Sequence, residues 1–311
     1  MNKRQQLIGI VFMLLATFFW GTTFVAQSAG MDYIGPFTYL CCRSFVGCIV
    51  LIPVAVLYER KNNKGVSSQA EGTPSVTNNK KNLIIGGIVC GTVLTAASAL
   101  QQIGIIYTSV GKTGFLTVLY IVLVPIFGLF LKQKCQLNVW ISVLVAVVGL
   151  YLLCIQEDFS IVLTDLYVLG GAVMWAVHIL FVDHYSPRVN GVWLSSIQFL
   201  VCGILSGILM FIFETPSLDS IIACAGPILY AGVFSSGVAF TLQILAQKYL
   251  NASIAALIMS TESVFSVLSG WIFLHELLSR REILGCVFMF IAVLLAQFAF
   301  PTRKSKKVKE A

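Results

Sequence analysis

LGCVFMFIAVLLAQFAF, residues 284–300, places no charged side chain in seventeen consecutive positions. A helix of about 20 mostly apolar residues crosses the hydrocarbon of a bilayer. At that depth every backbone amide must be paired inside the spanning element, so only helices and closed barrels qualify. A barrel strand would alternate apolar and polar positions over about 10 residues. Neither this stretch nor IVLIPVAVL at 49–57 alternates. Working outward, runs of the same kind recur at roughly 7–27, 36–58, 83–105, 109–131, 138–155, 165–184, 191–213, 222–247, 252–274 and 282–300. The expected fold class is an all-α integral membrane protein with ten transmembrane helices.

Composition agrees. Apolar residues make up 58% of the 311 positions and charged residues 11%, against about a quarter charged in a soluble domain. Such a chain cannot cover its own surface in water, though it can cover one that faces lipid. Lys3 and Arg4 followed by an apolar run imitate a signal peptide. The run from Leu7 to Val25 is longer than a usual signal core, however, and a retained first helix is expected. The long hydrophilic break, 59–82, is rich in Asn, Lys, Ser and Gly and reads as a flexible loop. The nine cysteines lie mostly inside apolar runs with no paired spacing and read as small buried hydrophobes.

Charge sets an orientation. With the N-terminus in the cytoplasm and ten alternating spans, 16 of the 20 Lys and Arg fall inside, and only Arg280 and Arg281 fall outside. Cytoplasmic loops carry this excess. Both termini are therefore expected in the cytoplasm and the chain in the cell membrane, with the lipid bilayer as a partner. The basic residues are scattered among short loops and a tail at 302–311, a poor pattern for nucleic acid.

The chain also repeats itself. Trp20 and Trp175 stand 155 positions apart, as do Arg43 and Gln198. GPFTYLCCRSF from 35 and NGVWLSSIQFL from 190 occupy matching places. Leu100-Gln101 with Tyr107 matches Leu242-Gln243 with Tyr249 at an offset of 142, the difference arising mostly from the 59–82 loop. Residues 1–58 with 83–155 form one half and 156–301 the other, each with five spans. An odd number of spans makes the second half enter the membrane in the opposite sense. Such inverted repeats characterise secondary transporters, whose binding site lies near mid-depth between the halves.

Three stretches carry a family likeness: FFWGTTFVAQSAG at 18–30, YTSVGKTGFLTVLYIVLVPIFGLFL at 107–131, and YLNASIAALIMSTESVFSVLSGWIFLHELLSRREILG at 249–285. The chain resembles the drug/metabolite transporter superfamily, in its ten-helix branch with two EamA-type domains. It departs from that pattern where Ser263, in place of a frequent Pro, follows Glu262, and where Lys132-Gln133-Lys134 replaces an acidic residue. The resemblance implies export of amino acids or related metabolites. Nucleotide-sugar exchange and drug efflux belong to the same fold and stay open as alternatives. A membrane-embedded enzyme or scaffold would be a reading of another class. It finds little support, because no nucleophile or metal set stands at one depth.

An ionisable group at membrane depth is costly and is a functional candidate by default. Glu262, about ten residues into the ninth span, is placed to exchange a proton, to hold a substrate ammonium, or to hydrogen-bond between helices. Arg43 suits a carboxylate or phosphate, or serves equally as an anchor to helix carbonyls. Lys112, at the end of the fourth span, is free to snorkel to water. His178 titrates or packs. Gln101, Gln198 and Gln243 suit a polar pathway or hydrogen bonds between helices. Trp20, Trp175 and Tyr120 are candidate cavity walls. With no H-E-x-x-H, haem or zinc spacing, neither metal nor cofactor is expected. The expected partner is a small-molecule solute, and a second copy of the chain is admissible.

Overall fold

The computed structural model describes residues 3–66, 80–107, 110–133, 135–154, 163–273 and 279–297. The core of the expected loop (67–79) and the basic tail lie outside the described residues, as does the side chain of Lys112. Among the described residues there are helices and turns and no strand. The long helices are α1 (Lys3–Gly30), α2 (Pro36–Val66) and α3 (Lys80–Tyr107). A fourth crossing is shared by α4 (Val110–Val118) and α5 (Tyr120–Phe130), and α6 (Leu137–Cys154) follows. The second half begins with α7 (Asp165–Tyr185) and α8 (Gly191–Phe213). The short helices α9 (Leu218–Ala223) and α10 (Ala225–Tyr230) lead into a π-helical segment, Ala231–Ala239, and α11 (Phe240–Ala246). The chain then forms α12 (Ala252–Met259), α13 (Glu262–Phe273) and α14 (Arg280–Gln297).

Nine stretches among the described residues are long and apolar enough to cross a membrane. The tenth expected span is α14, whose first turn holds Arg280, Arg281 and Glu282. Large apolar side chains point outward all round, with Phe130 79% and Phe211 76% exposed. In water such a surface would aggregate, whereas in lipid it is the solvated face.

The structure corrects the expected elements in two ways. The loop expected over 59–82 is shorter, because α2 continues to Val66 and α3 starts at Lys80. Lys, Arg and Glu are good helix formers and let a helix run on into water. Three crossings, moreover, are interrupted. The fourth breaks at Leu119, whose N–H reaches back three residues to the Leu116 carbonyl at 3.3 Å. The ninth breaks at Ser260 and Thr261, whose hydroxyls donate to the carbonyls of Leu257 and Ile258 at 2.7 Å each. Hydroxyls that bond the preceding turn compete with the helix ladder and bend it. The eighth is relaxed into the π segment, which is built from small residues (AGVFSSGVA).

Packing obeys an approximate two-fold exchange of the halves. The helix pairs α2 with α8 and α6 with α14 each join equivalent members. The contact of α3 with α7 has its counterpart in that of α1 with the π segment and α11. The contact of α1 with α12 and α13 is matched by that of α7 with α4 and α5. Exchange of two five-crossing halves gives the inverted topology expected from the sequence. It leaves two faces, named here by their turns: the α1–α2 face (Met31–Gly35) and the α7–α8 face (Ser186–Asn190).

The α2–α8 pair is fastened at both ends by carboxylates 155 positions apart. At the α1–α2 face the Glu214 carboxylate accepts the backbone N–H groups of Phe37 (2.7 Å) and Thr38 (2.8 Å) and the Thr38 hydroxyl (2.5 Å). A carboxylate at a helix N-terminus satisfies orphan donors and the dipole together. At the α7–α8 face Glu59 accepts the indole N–H of Trp193 at 2.9 Å, and Asn190 caps α8.

Close approach of α1 to α13 depends on Gly21. A methyl group there would stand 2.6 Å from the Phe265 Cβ and 2.7 Å from the Glu262 carbonyl oxygen. Gly21→Ala is therefore expected to destabilise the detergent-purified protein by about 1–3 kcal/mol, the usual cost of overpacking. A thermal midpoint equal to that of the unaltered protein would show that α1 and α13 stand further apart.

Candidate functional site

Where the two halves meet, a small, partly open cavity of about 40 Å³ is lined by the broken helices and their neighbours. It brings together Trp20, Arg43, Gln101, Tyr120, Trp175 and Glu262. These six residues stand on six different helices, α1, α2, α3, α5, α7 and α13.

Tyr120 and Glu262 come from the two breaks. Each is the first residue of its helix after the interruption, α5 and α13 respectively. They are 142 positions apart and thus equivalent under the exchange of halves, and they meet: the Tyr120 hydroxyl donates to Glu262 Oε1 at 3.4 Å. Both are buried. In a continuous helix the ladder would hold the carbonyls that Ser260 and Thr261 now occupy. The interruption lets Glu262 start a new helix, where a carboxylate gains from the unpaired N–H groups of the first turn. Two residues before Leu119 and Thr261 stand Thr117 and Met259, a second equivalent pair, and both line the cavity. Trp20 and Trp175 form a third, on α1 and α7.

Polar contacts around the cavity are uneven. Trp175 donates its indole N–H to Gln101 Oε1 at 2.7 Å. Trp20 is 7% exposed, and its indole nitrogen finds no hydrogen-bond partner among the described residues. Arg43 is 5% exposed, with its Cζ 5.9 Å from the centre of the Tyr39 ring, at the edge of cation–π range. Its Nε likewise finds no acceptor among the described residues. A buried charged group without full pairing costs more than a neutral one.

The other three expected site residues do not line the cavity. His178, Gln198 and Gln243 are each 0% exposed. His178 Nε2 and Gln198 Oε1 lie 3.2 Å apart, and the Gln243 amide donates to the Met259 sulfur at 3.7 Å. The exchange of halves orders this division. Gln198 is the counterpart of Arg43 and Gln243 that of Gln101; one member of each pair faces the cavity and the other is sealed. Arg43 lies seven residues from the start of α2 and Gln27 three from the end of α1, so the cavity occupies the α1–α2 side of the molecule. Phe240, at the start of α11, touches both groups. Its ring centre is 4.9 Å from that of Trp20, 5.9 Å from Trp175 and 6.1 Å from His178.

Sequence reasoning missed Phe24, Gln27, Thr117, Ser235, Phe240 and Met259 as lining residues. Thr117 and Met259 were within reach, because the 142 offset relates them as it does Tyr120 and Glu262. Phe240 carried no signal, being one of 22 phenylalanines in an apolar chain. Among the described residues no group of three His, Cys, Asp or Glu is placed to hold a metal ion.

Comparison with known proteins fits this geometry. The sequence model of the EamA-like transporter family matches the chain twice, over residues 7–155 and 162–298. An uncharacterized transporter of Archaeoglobus fulgidus is 27% identical over 287 residues, covering 91% of this chain and 83% of its own length. The uncharacterized transporter YoaV of Bacillus subtilis is 23% identical over 306 residues, covering 96% of this chain and 99% of its own. A crystal structure superposes with a TM-score of 0.76 over 96% of this chain and 97% of that one, at 17% identity, a likeness of fold.

The His178–Gln198 pair ties α7 to α8 on the sealed side. Gln198→Leu removes one partner and leaves a buried ring nitrogen, a loss worth about 1–3 kcal/mol. The expected outcome is a lower thermal midpoint for the purified protein, and no shift would mean that the pair does not hold the two helices.

Proposed function

Because the chain belongs to the EamA-like transporter family, we propose that it exports small organic solutes such as amino acids or related metabolites by alternating access, coupled to protons. The observation that supports this most directly is the cavity between the halves. It holds a carboxyl group, Glu262, and a guanidinium, Arg43, at membrane depth beside a set of equivalent aromatic residues. Ionisable groups are kept at such depth only where they serve a pathway or a partner.

A solute bearing both an ammonium and a carboxylate finds complementary ends here. The unmatched donors of Arg43 and Trp20 suit the carboxylate, and Glu262 suits the ammonium or the coupling proton. In this reading the α1–α2 face is outside and both termini are in the cytoplasm, as the excess of basic residues on the opposite loops supports. The structure then stands in the outward-facing condition, with the inward half sealed around His178, Gln198 and Gln243. In the transport cycle Glu262 takes up a proton from outside, which displaces the solute's ammonium. The loaded carboxyl crosses with the change of face, and the proton leaves inside as the next solute binds. Nucleotide-sugar exchange fits less well, since a pyrophosphate calls for more buried cations than Arg43 supplies.

Flux of amino acids from proteoliposomes against an imposed pH gradient tests the coupling. Transport is expected to accelerate when the trans side is acidic, and Glu262→Gln is expected to abolish that dependence. Flux indifferent to the gradient, with Glu262→Gln fully active, would sink proton coupling. Arg43→Gln is expected to raise KM for carboxylate-bearing solutes by about tenfold or more, the worth of a charged hydrogen bond, and to leave an ester analogue of the same solute unaffected. Equal loss for acid and ester would remove Arg43 from substrate recognition.

A further inference from the structure

One hydrogen bond is formed in the first of two equivalent places and missing in the second. Trp175 and Gln101 are joined at 2.7 Å, tying α7 to α3. Their counterparts under the exchange of halves are Trp20, 155 positions before Trp175, and Gln243, 142 positions after Gln101. These sit on α1 and α11, which also pack together. Here the Trp20 indole nitrogen and the Gln243 carbonyl oxygen are both buried, and both are without a hydrogen-bond partner among the described residues. The donor and the acceptor that would make the second bond are thus orphaned together. The amide of Gln243 is turned instead onto the Met259 sulfur at 3.7 Å, a weak acceptor.

Two orphaned groups of complementary type, at positions where the other half makes a bond, need a state that satisfies them. We propose that Trp20 and Gln243 form the second of two mutually exclusive Trp–Gln bonds, made when the transport path opens to the α7–α8 face and the Trp175–Gln101 bond breaks. This rests on the alternating-access reading above. The two bonds then position the halves: each holds the wall of the side that is open. The path opening to the α7–α8 face is lined by Gln243 and Gln198, the counterparts of Gln101 and Arg43. It offers the solute amide groups where the present cavity offers a guanidinium. The solute's carboxylate is therefore held less firmly on that side. Phe240, against Trp20 and Trp175 at once, lies where both exchanges must pass it.

The test reads the two states without needing a substrate. In a chain whose native cysteines are replaced, a single cysteine is placed at Gln27, on the open side, or at its counterpart Val182, which is buried on the sealed side. Labelling of each by a membrane-impermeant maleimide in proteoliposomes of known orientation is followed over time. Trp20→Phe and Gln243→Leu are each expected to lower labelling at Val182→Cys by about three- to tenfold, the worth of one net hydrogen bond, and to leave labelling at Gln27→Cys at or slightly above the parent rate. Trp175→Phe and Gln101→Leu are expected to do the reverse. The Trp20→Phe/Gln243→Leu double variant should shift labelling no further than either single change, since one bond is lost in all three.

Shifts in the same direction for both pairs, no shift in either, or multiplying effects in the double variant would overturn the proposal. So would a Trp20→Phe protein that elutes as a single folded species and labels like the parent. Failure of the transport reading is separately visible: mirror-image labelling shifts in a protein with no flux of any amino acid would retain the paired bonds and discard the proposed cargo.

Discussion

Hydrocarbon supplies no hydrogen-bond partners, so every polar group at membrane depth must be paired by the protein or gathered around an aqueous cavity. This constraint explains why the outer surface is apolar and why the crossings are helical. It also explains why polar side chains appear almost entirely between helices. The hydroxyls of Thr17, Thr95 and Ser142 each bond a carbonyl of their own helix one turn back. The carboxylates of Glu214, at the end of α8, and Glu59, within α2, take donors of the neighbouring helix. Glu262, Arg43, Trp20 and Gln101 gather around the cavity where the halves face each other.

The two breaks turn this constraint into a site. An unbroken helix keeps its backbone closed and its side chains on a regular stripe. At Leu119 and at Ser260-Thr261 the ladder is released, and Tyr120 and Glu262 are presented as the first residues of new helices. Because the breaks are equivalent under the exchange of halves, these two residues arrive at the same place from opposite directions. Their contact lies near the axis of that exchange, which is where a group must stand to be reached from both faces. The close approach of α1 over Gly21 brings a third wall to Glu262. The π segment, rich in Gly and Ser, contributes Ser235 to the cavity and gives α2 room to pack against it.

In the alternating-access reading, unequal use of equal positions marks a molecule resting in one of two arrangements. Arg43 and Gln101 face the cavity, and Gln198 and Gln243 are sealed. Identical halves would have identical walls; in the proposed cycle the divergence of Arg43 from Gln198 would give each opening its own affinity for charge. Differential affinity between states is what allows a gradient or a solute to move such an equilibrium.

Ten apolar stretches, the internal offset of 155 and then 142, and the depth of Glu262 and Arg43 were legible in the sequence by itself, because spacing and polarity are local properties and lipid punishes exceptions. The pairing of Tyr120 with Glu262 was implicit in the same offset, yet nothing in the sequence says that equivalent residues touch. Only the tertiary structure decided the helix breaks, the recruitment of Phe240 and Gln27, and the sealing of His178, Gln198 and Gln243. The physical reason is that a helix has a full circle of positions and a repeat has two orientations. Which side faces a cavity, and which of two equivalent sides is open, follows from how ten helices pack at once and from no single stretch of chain.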